Sequence, residues 1–569
     1  MNAFDSYRLL ITPLSPVHIG TGESYEPTNY VINEGVLHEF DTEAVAAALT
    51  STDREKLLGI ANGTPDSTMI EAMQRFFYER RGPLMFHAVH RIPVLPGIAR
   101  LYESRVGRTA NREADGKTVI NRLEIDRTSF NPVTHRPVLF GSSLKGAIRT
   151  ALLNDINGGR QAQERKGLHE FQGGVFKYRD PNRNKSYFEQ DPLRLVQLSD
   201  ASYQGEPHFP ATEVHLAVNR KKDRVVDSQG IVRQSQAETK DLYQILECVS
   251  ALRYRSFSAQ LNLQRVNGVL DERRGQRGLP AVDLRFDVTD IARACNEFYQ
   301  PILEAENGRM RTRGYLNEGW DQAIQQLLAA SCERMKRGEV FLLRVGRHSG
   351  AESVTVNGVR SIRIMKGKGE RPEYAQTSKT LWLAADDKNQ KQDLLPFGWL
   401  MVELLPLRSD APDWPELRTI CEPSLAAARI FAAKMTALQV ELDEARAKAE
   451  ARRREEEESA RRRAEEEARA IQAEAERQTR LDAMTPEERE IETFRTQFEN
   501  EKAKGGYKAG GIFDAQRLAF FKRTLEWQDQ AARAQAASLL RETVKWSGWP
   551  GKKERKAEFK AWLEQLEAQ

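Results

Sequence analysis

The chain has 569 residues, of which 40% are hydrophobic and 30% charged, and its formal net charge is +4 at pH 7. A chain of this length predicts about three or four domains of ~100–200 residues each. It contains no run of about 18 apolar residues and does not begin like a signal peptide, so we expect a cytoplasmic protein without a membrane segment. The four cysteines form no CxxC pair, and we expect no disulfide framework, no metal and no cofactor.

A glycine-rich bend follows the first strand-like segment of the chain and recurs once. Residues 10–24 read LITPLSPVHIGTGES, and residues 341–353 read FLLRVGRHSGAES. Each is an apolar strand, a basic or imidazole residue, a glycine-rich bend and then Glu-Ser, which favours a duplicated β-sheet unit over a chance match. The first copy continues as a strand and then a helical pattern at residues 42–60, which is half of a ferredoxin-like unit.

Residues 136–153 read as an apolar strand, a small hydroxyl-rich turn and then a helix. Backbone N–H groups at a helix start have no intrahelical partner, so residues 141–143 are expected to offer donors to an anion such as phosphate. Lys145 and Arg149 lie four apart and add two cations on one helix face. The pattern departs from the Walker motif GxxxxGK[ST], which excludes an NTPase. The alternative is a glycine turn that only permits tight strand-to-helix packing.

Basic residues cluster in three segments that are predicted to be loops. Residues 213–220 and 255–263 alternate like strands, and the charged connector after the first predicts a hairpin-like projection. Phosphate binding is the functional interpretation, and a solvated surface loop is the alternative. The cations of the three segments are Arg220, Lys221, Lys222 and Arg224; Arg273, Arg274 and Arg277; and Lys366, Lys368 and Arg371.

The second half of the chain is mainly helical in pattern. Residues 284–337 have helical periodicity, which predicts a domain boundary near residue 265. Residues 442–471 contain runs such as ARRREEEESARRRAEEEAR, which predict a solvated helix with Glu–Arg pairs because no apolar seam for a coiled coil is present. Residues 485–488 form a capping box that begins a new helix, and the aromatic residues after it predict a small helical domain.

Five elements occur in a characteristic order: HIGTGE at residues 18–23, GSSLKGAIRTALL at 141–153, LSDA at 198–201, EVHLAVNR at 213–220 and RVGRHSGAES at 344–353. Together they resemble the RAMP superfamily of CRISPR-associated proteins. Within it, their order and spacing are most similar to the large two-domain RAMP subunit of type III-A (Csm) effector complexes.

The resemblance covers roughly residues 1–408 and implies an α+β protein. Two RRM-like, ferredoxin-fold domains are then expected, followed by a long charged helix and a small α-helical domain that are additions to the usual subunit. The predicted domains are a first RRM-like domain at residues 1–265, a second at 266–408, a charged helical arm at 409–484 and a helical domain at 485–569.

The resemblance also implies a non-catalytic subunit that binds guide RNA and caps the effector near the 3′ end of the guide, supporting guide maturation and antiviral RNA targeting. Implied partners are guide RNA, target RNA, the neighbouring backbone RAMP subunit and a small helical subunit. Because the RRM signature string is absent, contact through the RNA backbone is expected. The predicted RNA-binding residues are His18, Gly20, Gly22, Gly141, Ser142, Ser143, Lys145, Gly146, Arg149, Arg220, Lys221, Lys222, Arg224, Arg347 and His348.

Two other functions stay open at this point. One is an RNA-processing endoribonuclease in which His18, Asp200 and Lys145 supply the acid, base and charge-stabilising groups. No cluster of His, Asp and Glu at metal-ligand spacing supports a metal centre for it. The other is an interaction scaffold whose charged arm and C-terminal domain recruit a further protein, for example a trimming nuclease.

Overall fold

A computed structural model describes most of the chain as two compact units, Met1–Arg446 and Ala447–Gln569. The described residues are 3–65, 67–108, 123–161, 167–180, 182–222, 228–231, 238, 242–266, 278–365, 371–505, 507–550 and 553–567. Six of the predicted basic residues lie outside them: Arg224, Arg273, Arg274, Arg277, Lys366 and Lys368.

The first unit contains both strands and helices, which confirms the predicted α+β class. Its strands are β1 (Phe4–Pro13), β2 (Gly20–Tyr25), β3 (Tyr30–Asn33), β4 (Val36–Glu39), β5 (His90–Pro93), β6 (Ile125–Thr128), β7 (Val138–Leu139), β8 (Arg179–Asp180), β9 (Lys185–Ser186), β10 (Val196–Leu198), β11 (Ala201–Tyr203), β12 (Thr212–Lys221), β13 (Tyr243–Val249), β14 (Phe257–Gln264), β15 (Val340–Arg344), β16 (Ile362–Ile364), β17 (Glu373–Ala375), β18 (Thr380–Ala385) and β19 (Trp399–Pro406). Its helices are α1 (Thr42–Ala48), α2 (Ser51–Ala61), α3 (Ser67–Glu79), α4 (Arg81–Phe86), α5 (Pro96–Arg105), α6 (Gly141–Asn157), α7 (Leu168–Val175), α8 (Val288–Thr312), α9 (Glu318–Lys336) and α10 (Gly350–Ser353).

The larger sheet has the antiparallel strand order β15-β19-β1-β14-β11-β7, and β10 also pairs with β14. When the elements that lie between them are left out, four of its strands and the two helices packed on it have the chain order strand, helix, strand, strand, helix, strand: β1, α6, β11, β14, α8 and β19. In β14 alternate residues from Phe257 to Leu263 are buried, as expected for a sheet with one face on the core. Leu144 and Ile148 of α6 and Phe298 of α8 belong to the same core.

The second sheet has the order β18-β12-β13-β6-β2, in which only the β13–β6 pair of these described strands is parallel. Strand β12 confirms the strand predicted at residues 213–220, but its hairpin partner is β13. The strand predicted at 255–263 exists as β14 and pairs with β1 in the larger sheet instead. Sequence alternation identified both strands, whereas the pairing depends on long-range contacts.

Both sheets draw strands from either side of residue 265. The larger sheet joins β1 and β14 to β15 and β19, and the second joins β12 and β13 to β18. Helices α8 and α9 confirm the helical prediction for residues 284–337. The predicted helix at 42–60 is instead two helices, because Leu49 is extended and the Thr50 side chain accepts a hydrogen bond from the Asp53 N–H to cap α2. The domain boundaries themselves stay predictions.

The second unit consists of helices. Helix α11 (Pro415–Asp482) contains residues of both units, and residues 451–480 are all exposed, as predicted for the solvated charged helix. The later helices are α12 (Pro486–Ala503), α13 (Ile512–Glu526), α14 (Gln530–Ser547) and α15 (Lys553–Glu567). Both hydrogen bonds of the predicted capping box at α12 are present, and α12–α15 share an aromatic core. In the part of the chain that the structure describes, no helix is long and apolar enough to cross a bilayer.

Candidate nucleic-acid interface

The predicted strand–turn–helix element exists, with β7 leading directly into α6. The Gly141 N–H, the first donor of the helix, donates at 2.7 Å to the Asp200 carboxylate between β10 and β11. A Cβ on Gly141 would lie 2.7 Å from the carbonyl oxygens of Leu198 and Ser199, so only glycine fits this contact. The GSSLKG and LSDA elements therefore meet, and the aspartate supplies the negative charge that a helix start favours.

The two cations of α6 lie on one helix face, as their spacing predicts, and both are hydrogen-bonded within the protein. The Lys145 Nζ donates to the Val196 carbonyl at 2.7 Å, and burial lowers the pKa of this lysine. The Arg149 guanidinium lies 2.8 Å from the Asp191 carboxylate and 5.0 Å from the centre of the Phe176 ring.

The expected set of free donors at the start of α6 is therefore not present as predicted. The Gly141 donor is taken by Asp200, and the Ser143 N–H donates to the Phe140 carbonyl at 2.9 Å. Ser142 and Gly146 are exposed. Local sequence predicts the direction of the donors, but Asp200, 59 residues away in the chain, occupies the position expected for an external anion.

This arrangement predicts a structural effect of Asp200. We expect Asp200→Ala to lower the free energy of unfolding by about 1–2 kcal/mol because the helix loses a charged cap. Asp200→Asn retains an acceptor oxygen and is expected to lose about half of that or less. Urea denaturation of both variants measures the difference. Equal losses for the two variants would contradict the capping role.

The side chain of His18 is fully buried beneath the first glycine-rich bend. Its Nδ1–H donates to the Glu247 carbonyl at 2.7 Å, and burial lowers the pKa of the ring. The buried Nε2 lies 3.2 Å from the position that a Cβ on Gly20 would take. His18 thus supports the bend from below.

The two copies of the duplicated pattern meet at His18. The backbone N–H of Arg347 donates to the His18 carbonyl at 2.8 Å. The ring of His348 is stacked on Trp382 at 4.7 Å and lies 2.8 Å from the Gln244 amide oxygen, and burial lowers its pKa to about 3. The preceding strands β1 and β15 lie on either side of β19 in one sheet. Because the two duplicated strands flank the same strand, β19, the bends that follow them lie close together.

The exposed part of this junction is the first bend and the Arg347 side chain. Gly20 and Gly22 are exposed, and the pairing of β2 with β6 shifts register between Gly20 and Ser24. The main chain between them therefore lies outside the regular ladder. The Arg347 guanidinium is half-exposed and forms an ion pair with Asp126. Asp126 was missed by sequence reasoning, since one aspartate in a strand carries no motif.

The basic residues at the end of β12 and directly after it lie at different depths. Arg220 is buried and donates to the carbonyls of Lys388 and Gln390 at 2.9 and 2.6 Å. Lys222 is buried and pairs with Glu352, whose pKa falls to about 2. Lys221, by contrast, is partly exposed. Two of the three described cations therefore stabilise the fold, which the charge run alone does not reveal.

The candidate acid, base and cation of the nuclease hypothesis have separate structural contacts. His18 bonds to Glu247, Asp200 caps α6, and Lys145 bonds to Val196. The described residues contain no group of three or more His, Cys, Asp or Glu side chains placed to hold a metal ion.

Comparison with known proteins identifies the class. Residues 10–329 match the model of the RAMP superfamily, and because this match spans more than half of the chain, the chain belongs to that superfamily. The predicted family is thereby confirmed. No curated protein matches the sequence.

Two solved structures are similar to the chain. One is a chain of a cryo-EM structure of a Csm–crRNA–target RNA ternary complex of a type III-A CRISPR–Cas system, with 18% identity and a TM-score of 0.40 over 70% of this chain and 100% of that chain. The other is the crystal structure of T. onnurineus Csm5, with 17% identity and a TM-score of 0.38 over 68% of this chain and 99% of that chain.

Proposed function

We propose that the protein is a non-catalytic, guide-RNA-binding subunit that caps the 3′-end side of a type III-A CRISPR effector complex. The observation that carries the proposal is the membership in the RAMP superfamily, together with the specific order of the five sequence elements. Guide RNA, target RNA, a backbone RAMP subunit and a small helical subunit are its proposed partners. The strand and helix order β1, α6, β11, β14, α8, β19, with β19-β1-β14-β11 adjacent in space, supports an RRM-like unit.

The proposed RNA contact is the exposed part of the junction between the two glycine-rich bends. Gly20 pairs with Thr128 at the start of β2, and Thr21 and Gly22 after it are exposed where the register shifts, so their main-chain polar groups are accessible to phosphate or ribose. Arg347 adds a half-exposed guanidinium next to it. Backbone contact of this kind suits a protein that accepts guides of any sequence. His18 and His348 are proposed to hold these groups in place from within the fold.

The predicted residues outside this junction are proposed to have secondary roles. Ser142, Gly146 and Lys221 are proposed as additional contacts because each is at least partly exposed. Gly141, Ser143, Lys145 and Arg149, and likewise Arg220 and Lys222, already have partners within the chain, and we propose that they act by shaping the surface.

Arg347→Ala tests the proposed contact. Its exposed ion pair with Asp126 contributes at most about 1 kcal/mol, so the variant is expected to stay folded. We expect RNA binding to weaken several-fold and the salt dependence, log K against log salt, to lose about 0.7 in slope, as for one lost phosphate contact. The matched control is Arg337→Ala, since Arg337 is also an exposed arginine paired with a carboxylate, that of Glu339. Equal RNA binding by both variants would contradict the contact.

The assembly itself is tested by purifying the tagged protein from its own cells. Mass spectrometry of the copurified proteins and sequencing of the bound RNA are expected to yield further RAMP subunits and guide RNAs with defined 3′ ends. Recovery of the chain without RNA, or with random cellular RNA, would overturn the proposal. Cleavage of a guide precursor by the purified protein would favour the endoribonuclease alternative.

A further inference from the structure

The second unit contains a lysine-rich, glycine-rich loop between α12 and α13. We call residues 502–505 and 507–511, which include the last two residues of α12, the lysine loop; residue 506 lies outside the described residues. Lys502, Lys504 and Lys508 are all exposed in it. Lys504 lies 3.8 Å from the Glu501 carboxylate, whereas Lys502 and Lys508 make no ion pair in the described part of the chain. The loop therefore presents a net positive surface.

Aromatic contacts hold this loop against the end of α14. The Tyr507 ring lies 5.5 Å from the Trp546 ring, and Trp546 also contacts Phe498 and Phe513 at 5.6 and 6.1 Å. Lys545, the residue before Trp546, is exposed.

Arg517 fixes the two segments to one another. Its side chain is fully buried, and its guanidinium donates to the Ser547 hydroxyl at 2.8 Å and to the Gly548 carbonyl at 3.0 Å. It also pairs with Asp514 at 2.8 Å, and the same carboxylate accepts the Gly510 N–H at 2.7 Å. A surface that is fixed in this way loses little conformational freedom when it binds a ligand.

Three half-buried aromatic rings belong to the same two segments. Tyr507, Trp546 and Trp549 are each partly exposed. Tyr507 directly precedes Lys508, and Trp546 directly follows Lys545. Cations that neutralise phosphates, interspersed with rings on which bases stack, are the combination found in proteins that bind single-stranded nucleic acid without sequence preference.

We propose that the lysine loop and the end of α14 form a second RNA-binding surface, which contacts the phosphates and bases of single-stranded RNA. This goes beyond the proposed function, which places RNA on the first unit only. The lysines neutralise phosphates, and the partly exposed rings of Tyr507, Trp546 and Trp549 stack with bases irrespective of sequence.

The test uses the full chain and a labelled oligouridine RNA of about 30 nucleotides. The variant Lys502→Glu/Lys504→Glu/Lys508→Glu is compared with a control of equal charge change, Arg495→Glu/Lys522→Glu/Lys560→Glu, which alters exposed cations of the same unit outside the loop. We expect the loop variant to bind about tenfold or more weakly and to lose about 2 in salt slope, as for three phosphate contacts. The control is expected to change binding about threefold or less.

Two results would overturn the inference: equal weakening by both triple variants, or unchanged RNA binding by the loop variant. In the second case a protein partner of the loop becomes the better interpretation. Circular dichroism of each variant confirms that it is folded. Photo-crosslinking with 4-thiouridine RNA adds an independent readout, for which crosslinks at Tyr507 or Trp549 are expected and their absence counts against the surface. Arg347→Ala, measured in parallel, separates failure of this surface from failure of the contact on the first unit.

Discussion

Gly346→Ala is expected to destabilise the first unit by about 3–5 kcal/mol, since it combines a strained backbone with a direct overlap. Gly346 has a φ of +84°, a region in which an alanine is unfavourable. A Cβ there would also lie 2.3 Å from the His18 carbonyl oxygen, and that oxygen accepts the hydrogen bond from Arg347. The backbone on both sides of the contact belongs to the same buried junction, so neither side can move away cheaply. Urea denaturation measures the loss.

Gly22→Ala is the matched control for this prediction. Gly22 has nearly the same φ, +85°, but a Cβ on it would meet no atom within 4 Å. We therefore expect a loss of only about 1–2 kcal/mol, from backbone strain alone. If both variants lost the same amount, strain would explain the whole effect, and the close approach of the two bends would contribute nothing measurable.

The sequence predicts many local elements because short-range patterns determine them. The strand β12, the helices α8 and α9 and the capping box of α12 are all visible as alternation, helical periodicity or a four-residue cap. Sheet pairing is a different matter, since β14 pairs with β1 from the start of the chain, and a strand's alternation is the same whichever partner it takes.

Local sequence patterns also do not predict the partners of charged side chains. The spacing of Lys145 and Arg149 correctly predicts that they lie on one face of α6. It does not predict that they contact the β10 carbonyl and the Asp191 carboxylate. Charge reversal at this pair is therefore a poor test of RNA binding. Arg149→Glu would place a carboxylate against Asp191, so reversing these charges would disturb the fold whether or not RNA binds there. Arg347, with its exposed partner, avoids this ambiguity.

The internal similarity of the sequence predicts more than single motifs do. The similarity between residues 10–24 and 341–353 predicts two equivalent bends, and the structure places them in contact through His18 and Arg347. Glu247, which lies below the same junction, has a weaker signal: it is the one charged residue in the mainly buried strand YQILECV. A charge in such a strand indicates a buried polar network, but its partners come from three other segments.

Glu247 is expected to make the stability of the protein depend on pH. Its carboxylate is buried and accepts hydrogen bonds from the Thr212 hydroxyl at 2.9 Å, the Thr128 N–H at 3.2 Å and the Tyr25 hydroxyl at 3.3 Å. Burial outweighs these bonds and the nearby Arg127, and raises the pKa of Glu247 from 4.5 to about 7. The folded protein thus holds this proton more tightly than the unfolded chain. The contribution to stability is complete below pH ~4.5 and is lost as the pH rises towards ~7.

Glu247→Gln removes the ionisation and retains the shape of the side chain. The amide oxygen can accept from Tyr25 and Thr128, and the amide nitrogen can donate to the Thr212 hydroxyl. Relative to the parent, we expect the variant to differ by about 1 kcal/mol or less at about pH 5 and to be more stable by about 3 kcal/mol at about pH 8. Urea denaturation at the two pH values measures this. A difference that does not grow with pH would contradict the buried ionisation.

Glu352→Gln is a control at a carboxyl group whose pKa is lowered, whereas the pKa of Glu247 is raised. Hydrogen bonds and charge from Lys222, with a further bond from the Ser378 N–H at 2.9 Å, outweigh burial and lower the pKa of Glu352 to about 2. This carboxylate is therefore ionised at both pH values. Its neutralisation leaves the buried Lys222 without a counter-charge, for which a loss of about 3–5 kcal/mol is typical. We expect that loss to be similar at about pH 5 and about pH 8, because the folded carboxylate is ionised at both and the unfolded one is already mostly ionised at about pH 5.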